Sequence, residues 1–187
     1  MNLTIDLSEH ATRSFLLETV VANLPKEKRE EVLSLGGGSL LESTHYRDLP
    51  AVLAAIGSCP LSDRVKADAK AIYRLLAQAE AHVHGCSVEE THFHEVGEAE
   101  SISSVLAICR AIELMDPQEI HTTPVQVGFG TVTCAHGELD IPAPATRALL
   151  ERGIPTAVRR LEGERCTPTS AAIILHFVDA YDIPETR

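Results

Sequence analysis

Tryptophan is missing from this sequence, and aromatic residues make up only 4% of its 187 positions. A core built from such a chain comes from Leu, Ile, Val and Ala. Cysteine is sparse and unpaired in pattern. The five residues Cys59, Cys86, Cys109, Cys134 and Cys166 are widely spaced and odd in number, so neither a CxxC knuckle nor a disulfide framework is written here. Reduced thiols in a cytoplasm are the expectation. No apolar run approaches the roughly 20 residues that cross a bilayer. The start, "MNLTIDLSEH", lacks the basic and apolar regions of a signal peptide. Bases are outnumbered, 16 against 27 acids, for a net charge of −11. That balance repels phosphate backbones and excludes a nucleic-acid role, while it tolerates a cation. Internal repeats and low-complexity linkers are absent as well.

The length fits one domain over 1–187, and at 44% hydrophobic the composition is that of a soluble globular protein. "LTIDL" alternates as a short strand. "TRSFLLETVVANL" reads as a helix ended by Pro25, and 26–35 as another. "GGG" at Gly36–Gly38 is a break, and "RDLPAVLAAI" is helical with Asp48 as its cap. The clearest helix is "SDRVKADAKAIYRLLAQAEAHVHG". Its stripe is Val65, Ala69, Ile72, Leu76, Ala79 and Val83, and Gly85 is its stop. "SISSVLAICRAIELM" is the next helix. "EIHTTPVQVG" and "GTVTC" read as strands joined at Gly128–Gly130, "PATRALLERG" as a helix, "TAVRRL" as a strand and "TPTSAAIILHFVDAY" as the closing helix. Mixed short strands and amphipathic helices predict an α/β or α+β fold.

Two constellations carry chemistry. In "VEETHFHEVGEAESI", His92 and His94 flank Phe93. In an extended segment both imidazoles face one side and Phe93 the other, into the core. Such a pair suits Zn or Ni, with Glu95 as an outer partner or base. A pair of ordinary surface histidines has the same spacing. His84 ends the preceding helix, four residues after Glu80 on one face, where it could share a metal or simply stabilise the helix end. His82 is rotated off that face. His136, in "CAHGELDIPAPAT", falls in a Gly- and Pro-rich turn. The second constellation is "ERCTPTSAA". Thr167 can cap, Pro168 fits the first helical position, and Thr169 and Ser170 add hydroxyls. A helix start of this kind suits a phosphate or carboxylate, and it is also what any well-capped helix looks like. Cys166 lies just before it, where a thiolate is favoured.

"HYRDLPAVL", "AEAHVHG", "HFHEVGEAESI", "GTVTCAHGELDIPAPAT" and "ERCTPTSAA" occur in this order. The set resembles the N-terminal half of the LarC nickel-insertion family, best over 43–179, with 1–42 as a divergent start. The resemblance implies nickel insertion into a pyridinium bis-thiocarboxylate mononucleotide, dependent on CTP, to make the nickel-pincer cofactor of lactate racemase. Ni(II) donors are then expected at His84, His92, His94 and His136. Glu95 is the candidate catalytic group, and Thr167, Thr169 and Ser170 are candidates for holding the nucleotide.

The departures from the family pattern are specific. Where the family has a Gly-rich turn after its first strand, this chain has His10 and Arg13 at expected glycines and Ser14 at an expected aspartate. That exchange predicts loss of a backbone cradle. Glu100 and Ser104 stand at expected aspartates, Ser170 at a glycine and Asp140 at a proline. The family's His-rich loop before "HYRD" is replaced by the short "LGGGSLLEST". The family's C-terminal half, associated with nucleotide binding and CTP, has no counterpart in these residues. A separate subunit is therefore an expected partner, beside self-association. A non-catalytic scaffold or regulatory paralogue, and more remotely a metal-dependent hydrolase with Glu95 as base, are the alternative readings.

Overall fold

A computed structural model describes residues 1–36, 40–42, 45–134 and 137–182. Among them the strands are Leu3–Ile5 (β1), Ile120–Thr122 (β2), Gly128–Phe129 (β3), Thr131–Cys134 (β4), Gly137–Asp140 (β5), Gly163–Glu164 (β6) and Ala180–Tyr181 (β7). The helices are Arg13–Ala22 (α1), Lys26–Gly36 (α2), Leu49–Ser58 (α3), Asp63–His84 (α4), Ala99–Met115 (α5), Pro144–Leu150 (α6) and Pro168–Phe177 (α7). Single 3₁₀ turns occupy Val88–Glu90 and Glu95–Gly97.

A small parallel sheet runs in the order β1-β2-β7. Leu3 pairs with Ile120 and Ile5 with Thr122, and His121 pairs with Ala180. Parallel neighbours need long crossovers, and here all of α1 to α5 lie between β1 and β2. The remaining strands form two antiparallel ribbons, β3-β6 and β4-β5. The fold is mixed α/β, as the alternation of short strands and helices predicts.

α5 is the hub. Ile102, Val105, Leu106, Ala107, Ile108, Cys109, Ala111 and Ile112 are all buried, which is nearly the whole circumference of the helix. It has neighbours on every side because α1, α2, α3 and α4 pack around it. α2 is fastened to it from Glu31 to Arg110, 2.6 Å apart. α4 follows its apolar stripe, with Val65, Ala69, Ile72, Leu76 and Ala79 buried. Ser62 caps it by accepting the Val65 N–H at 3.2 Å, and Gly85 ends it at φ +64°. Asp48 caps α3 by accepting the Ala51 N–H at 2.8 Å.

The structure differs from the sequence reading in several places. "EIHTTPVQVG" is a strand only over Ile120–Thr122 before Gly128, and Val83 of the α4 stripe is exposed. "TAVRRL" is not a strand. Among the described residues its one β-bridge is Thr156 to Val125, its other bonds to the chain are scattered ones to Gln126 and Phe129, and Val158 is fully exposed. Its β-branched residues had no partner edge to pair with, and the short strand lies later, at β6. The closing helix stops at Phe177, because Asp179 turns back to accept the Ile120 N–H at 2.9 Å and the chain joins the sheet as β7. The turn read around "CAHGELD" holds β5, paired with β4 from Thr131–Asp140 to Cys134–Gly137. Gly37 and Gly38 of the glycine break, and His136, lie outside the described residues.

Candidate functional site

The loop after α4 is irregular, and distant residues hold it in place. Phe93 is 2% exposed and packs edge-on against Tyr73 of α4, ring centres 5.9 Å apart. The Tyr73 hydroxyl donates to the Val96 carbonyl at 2.8 Å. The "HYRD" segment clasps the same loop. Phe93 N–H donates to the Arg47 carbonyl at 2.7 Å, Tyr46 N–H to the Gly97 carbonyl at 2.7 Å, and His45 Nε2 lies 2.9 Å from the Phe93 carbonyl. A Cβ at Gly97 would overlap the Tyr46 carbonyl oxygen, so this close approach requires glycine. These contacts explain why the two motifs belong together although they are far apart in sequence.

The loop forms one wall of a cavity of about 620 Å³. His84, His94 and Glu95 line it, as do Thr167 and Thr169, so both constellations open onto one space. Glu80 is there too, with its carboxylate 3.4 Å from His84 Nε2. His92 is not among the lining residues. Phe93 points into the core as expected, but the backbone at His94 leaves the extended region, with φ −100° and ψ −108°. The two-residue alternation breaks there, and the exposed His92 instead pairs through its backbone with Asp48. Ser170 is fully buried and does not line the cavity. Its hydroxyl accepts the Thr167 N–H at 2.8 Å, and Thr167 Oγ1 accepts the Ser170 N–H at 3.3 Å, a reciprocal cap. Cys134 of β4, two residues before His136, lines the cavity. Among the described residues, no group of three or more His, Cys, Asp and Glu side chains is arranged to hold a metal ion.

Of the lining residues not singled out as site residues from the sequence, three bear on its chemistry. Glu164 is the first. Burial pushes its carboxyl up from the ordinary value, and repulsion from Glu95 adds to the rise. The second is Arg13, whose Nη1 donates to Ser101 Oγ at 2.5 Å. Ser101 in turn donates to the Glu95 carbonyl at 2.9 Å, which links the start of α1 to the histidine loop. Ser14 is the third; with Thr12 and Arg13 it puts the segment expected to have lost its cradle on the cavity wall. Position just ahead of the Thr-Pro-Thr cap was the available signal for Glu164, and the Thr12 cap for Arg13.

Cys166 corrects the expectation of a favoured thiolate. It is fully buried, and desolvation pushes its thiol up to about 12 against a small opposing effect from the Ser170 hydroxyl. The thiol is inert packing material. His10 stacks at 5.8 Å on Phe15 and meets Arg165 at 3.2 Å, off the cavity wall.

The profile of a family described as nickel insertion protein matches residues 6–187. A Staphylococcus saprophyticus relative named pyridinium-3,5-bisthiocarboxylic acid mononucleotide nickel insertion protein is 35% identical over 171 residues, covering 91% of this chain and 44% of that protein. A relative of the same name from Akkermansia muciniphila is 42% identical over 130 residues, covering 70% of this chain and 32% of its own length. This chain thus spans 32% to 44% of the length of these curated relatives. No solved structure matches it. With a family match over nearly the whole chain, the chain belongs to the nickel insertion protein family.

Proposed function

We propose that this chain takes part in inserting nickel into a pyridinium bis-thiocarboxylate mononucleotide, and that the cavity is where ion and nucleotide meet. The observation that carries this reading is the convergence of His84 and His94 with the Thr167–Thr169 helix start on one space. Imidazole is a fitting donor for Ni(II), and thiocarboxylate sulfur supplies the softer donors. Nickel here is cargo. Two imidazoles hold the ion while leaving coordination positions for substrate sulfur, which a closed four-ligand cage would not do. His136, two residues after Cys134, is the candidate third imidazole. Glu95 faces the cavity and is the candidate base for a proton released as the metal bonds to the substrate. The α7 start receives the anionic end of the nucleotide.

The CTP implied by the resemblance is assigned to the portion of the full-size relatives that these residues do not match, and a subunit carrying that portion is the candidate partner. We place the reaction in the cytoplasm, in keeping with the odd number and wide spacing of the five cysteines. Mass measurement of the chain, alone and mixed with such a subunit, reads self-association and partnership separately. The functional reading is tested by Ni(II) titration of the purified chain. The wild type is expected to bind one ion, His84→Ala plus His94→Ala to lose it, and His92→Ala to retain it. Stoichiometric binding by the His84/His94 double variant removes the site.

A further inference from the structure

The starts of α1 and α7 lie side by side in parallel. Ala11 and Cys166 form a parallel bridge, in which Ala11 N–H donates to the Arg165 carbonyl at 2.9 Å. One residue later each strand enters a helix through a threonine cap. Thr12 Oγ1 accepts the Phe15 N–H at 3.3 Å, and Thr167 Oγ1 accepts the Ser170 N–H at 3.3 Å. Two helices of ten residues each therefore present their positive ends at the same edge of the cavity.

The first-turn groups there are unspent. Among the described residues, the backbone N–H groups of Arg13, Ser14 and Thr169 donate to no protein acceptor, and all three residues line the cavity. Thr169 is 4% exposed, and its hydroxyl makes no hydrogen bond among the described residues. A hydroxyl held on an otherwise buried residue and open to the cavity is available to donate to a ligand. Arg13 is the only lysine or arginine among the lining residues, whereas Glu80, Glu95, Glu98 and Glu164 are all there. Its guanidinium is braced by Ser101 at 2.5 Å. Its other partner, Glu100, lies 3.8 Å away and is 76% exposed, a weak and screened pairing.

We propose that Arg13, with the paired starts of α1 and α7 and the Thr169 hydroxyl, forms a receptor for a phosphate monoester. This deepens the proposed function, since it rests on a nucleotide entering this cavity and names the residues that read its phosphate. A phosphate matches the donors available: three N–H groups, one hydroxyl and a planar guanidinium. Elsewhere the cavity wall is rich in carboxylates, so a phosphate is excluded from the acidic side and the ligand enters in one orientation. The segment that exchanged glycines for Arg13 thus replaces a backbone cradle with a charged side chain at a helix start.

The test is calorimetric titration of the full chain, without nickel, using a pyridine mononucleotide, the matching dephosphorylated riboside, and inorganic phosphate. The mononucleotide is expected to bind about tenfold tighter than the riboside or better, the effect of one charge-assisted contact. Inorganic phosphate is expected to compete. Arg13→Gln should erase the preference, and Thr169→Val should reduce it a few-fold. Equal binding of mononucleotide and riboside by the wild type overturns the proposal, as does an undiminished preference in Arg13→Gln. Should Arg13→Gln fail to fold, the wild-type ratio and Thr169→Val decide. Because nickel is left out, a lost phosphate preference with intact nickel binding defeats this inference alone. A retained preference with no nickel binding defeats the metal reading alone.

Discussion

The two rims of the cavity are built in opposite ways. The helix-start rim, Thr12–Ser14 and Thr167–Thr169, is fixed by its own sequence: each threonine caps the helix that follows it, three residues away. The histidine rim, from His84 to Glu98, is fixed by residues far from it. Tyr46, Arg47 and Tyr73 hold its backbone, and Phe93 anchors it in the core. One rim offers N–H groups and a guanidinium, the other imidazoles and carboxylates. An anion and a cation can thus be held together, each by a rim of its own.

Damage to the anchors should separate the rims. Phe93→Ala has the largest expected effect. Removing a buried ring costs about 3–5 kcal/mol, and nickel binding should fall before the phosphate preference does; denaturant unfolding and the two titrations measure both. Loss of the phosphate preference first would show that the rims are not independent. Gly97→Ala comes next, at about 1–3 kcal/mol or more, because a Cβ there collides with backbone and not with a movable side chain. It should open the Tyr46 clasp, seen as fast exchange of the Tyr46 amide hydrogen.

Thr167→Ala acts on the other rim. A lost cap costs about 1 kcal/mol; the mononucleotide preference should weaken, with nickel stoichiometry unchanged. Glu164→Gln has the smallest effect and joins the two rims. The Glu164 carboxyl is raised in the folded state by burial and by Glu95, so its neutral form is favoured there. Its contribution is fully present below the unfolded carboxyl value and is lost as pH rises through the folded one. The variant should therefore melt higher than wild type at pH 7. The difference should vanish in acid, as thermal melts across pH will show.

Local signals were legible in the sequence because they act over one or two turns. The stripe of α4, the Gly85 stop and the caps at Asp48 and Thr167 follow from side-chain period and cap chemistry. What was not legible depended on distant partners. "TAVRRL" has strand-forming residues but no edge to join, whereas the two-residue strands β6 and β7 exist only because β3 and β2 lie beside them. The site divides along the same line. Each motif could be read as donor chemistry, but His84 sharing a cavity with Thr167 arises from how α4 and α7 pack. His92 and His94 looked equivalent by spacing, and a single non-extended residue, His94, separates them. Arg13 read as a lost glycine and lies on the wall of the cavity.

Nickel K-edge absorption of the Ni(II)-loaded chain, compared between wild type and His94→Ala, tests the central claim most directly. Imidazole scattering around the metal should be present in the wild type and reduced in His94→Ala, with His92→Ala matching the wild type. An unchanged imidazole signal in His94→Ala, or its loss in His92→Ala, would contradict a nickel site inside this cavity.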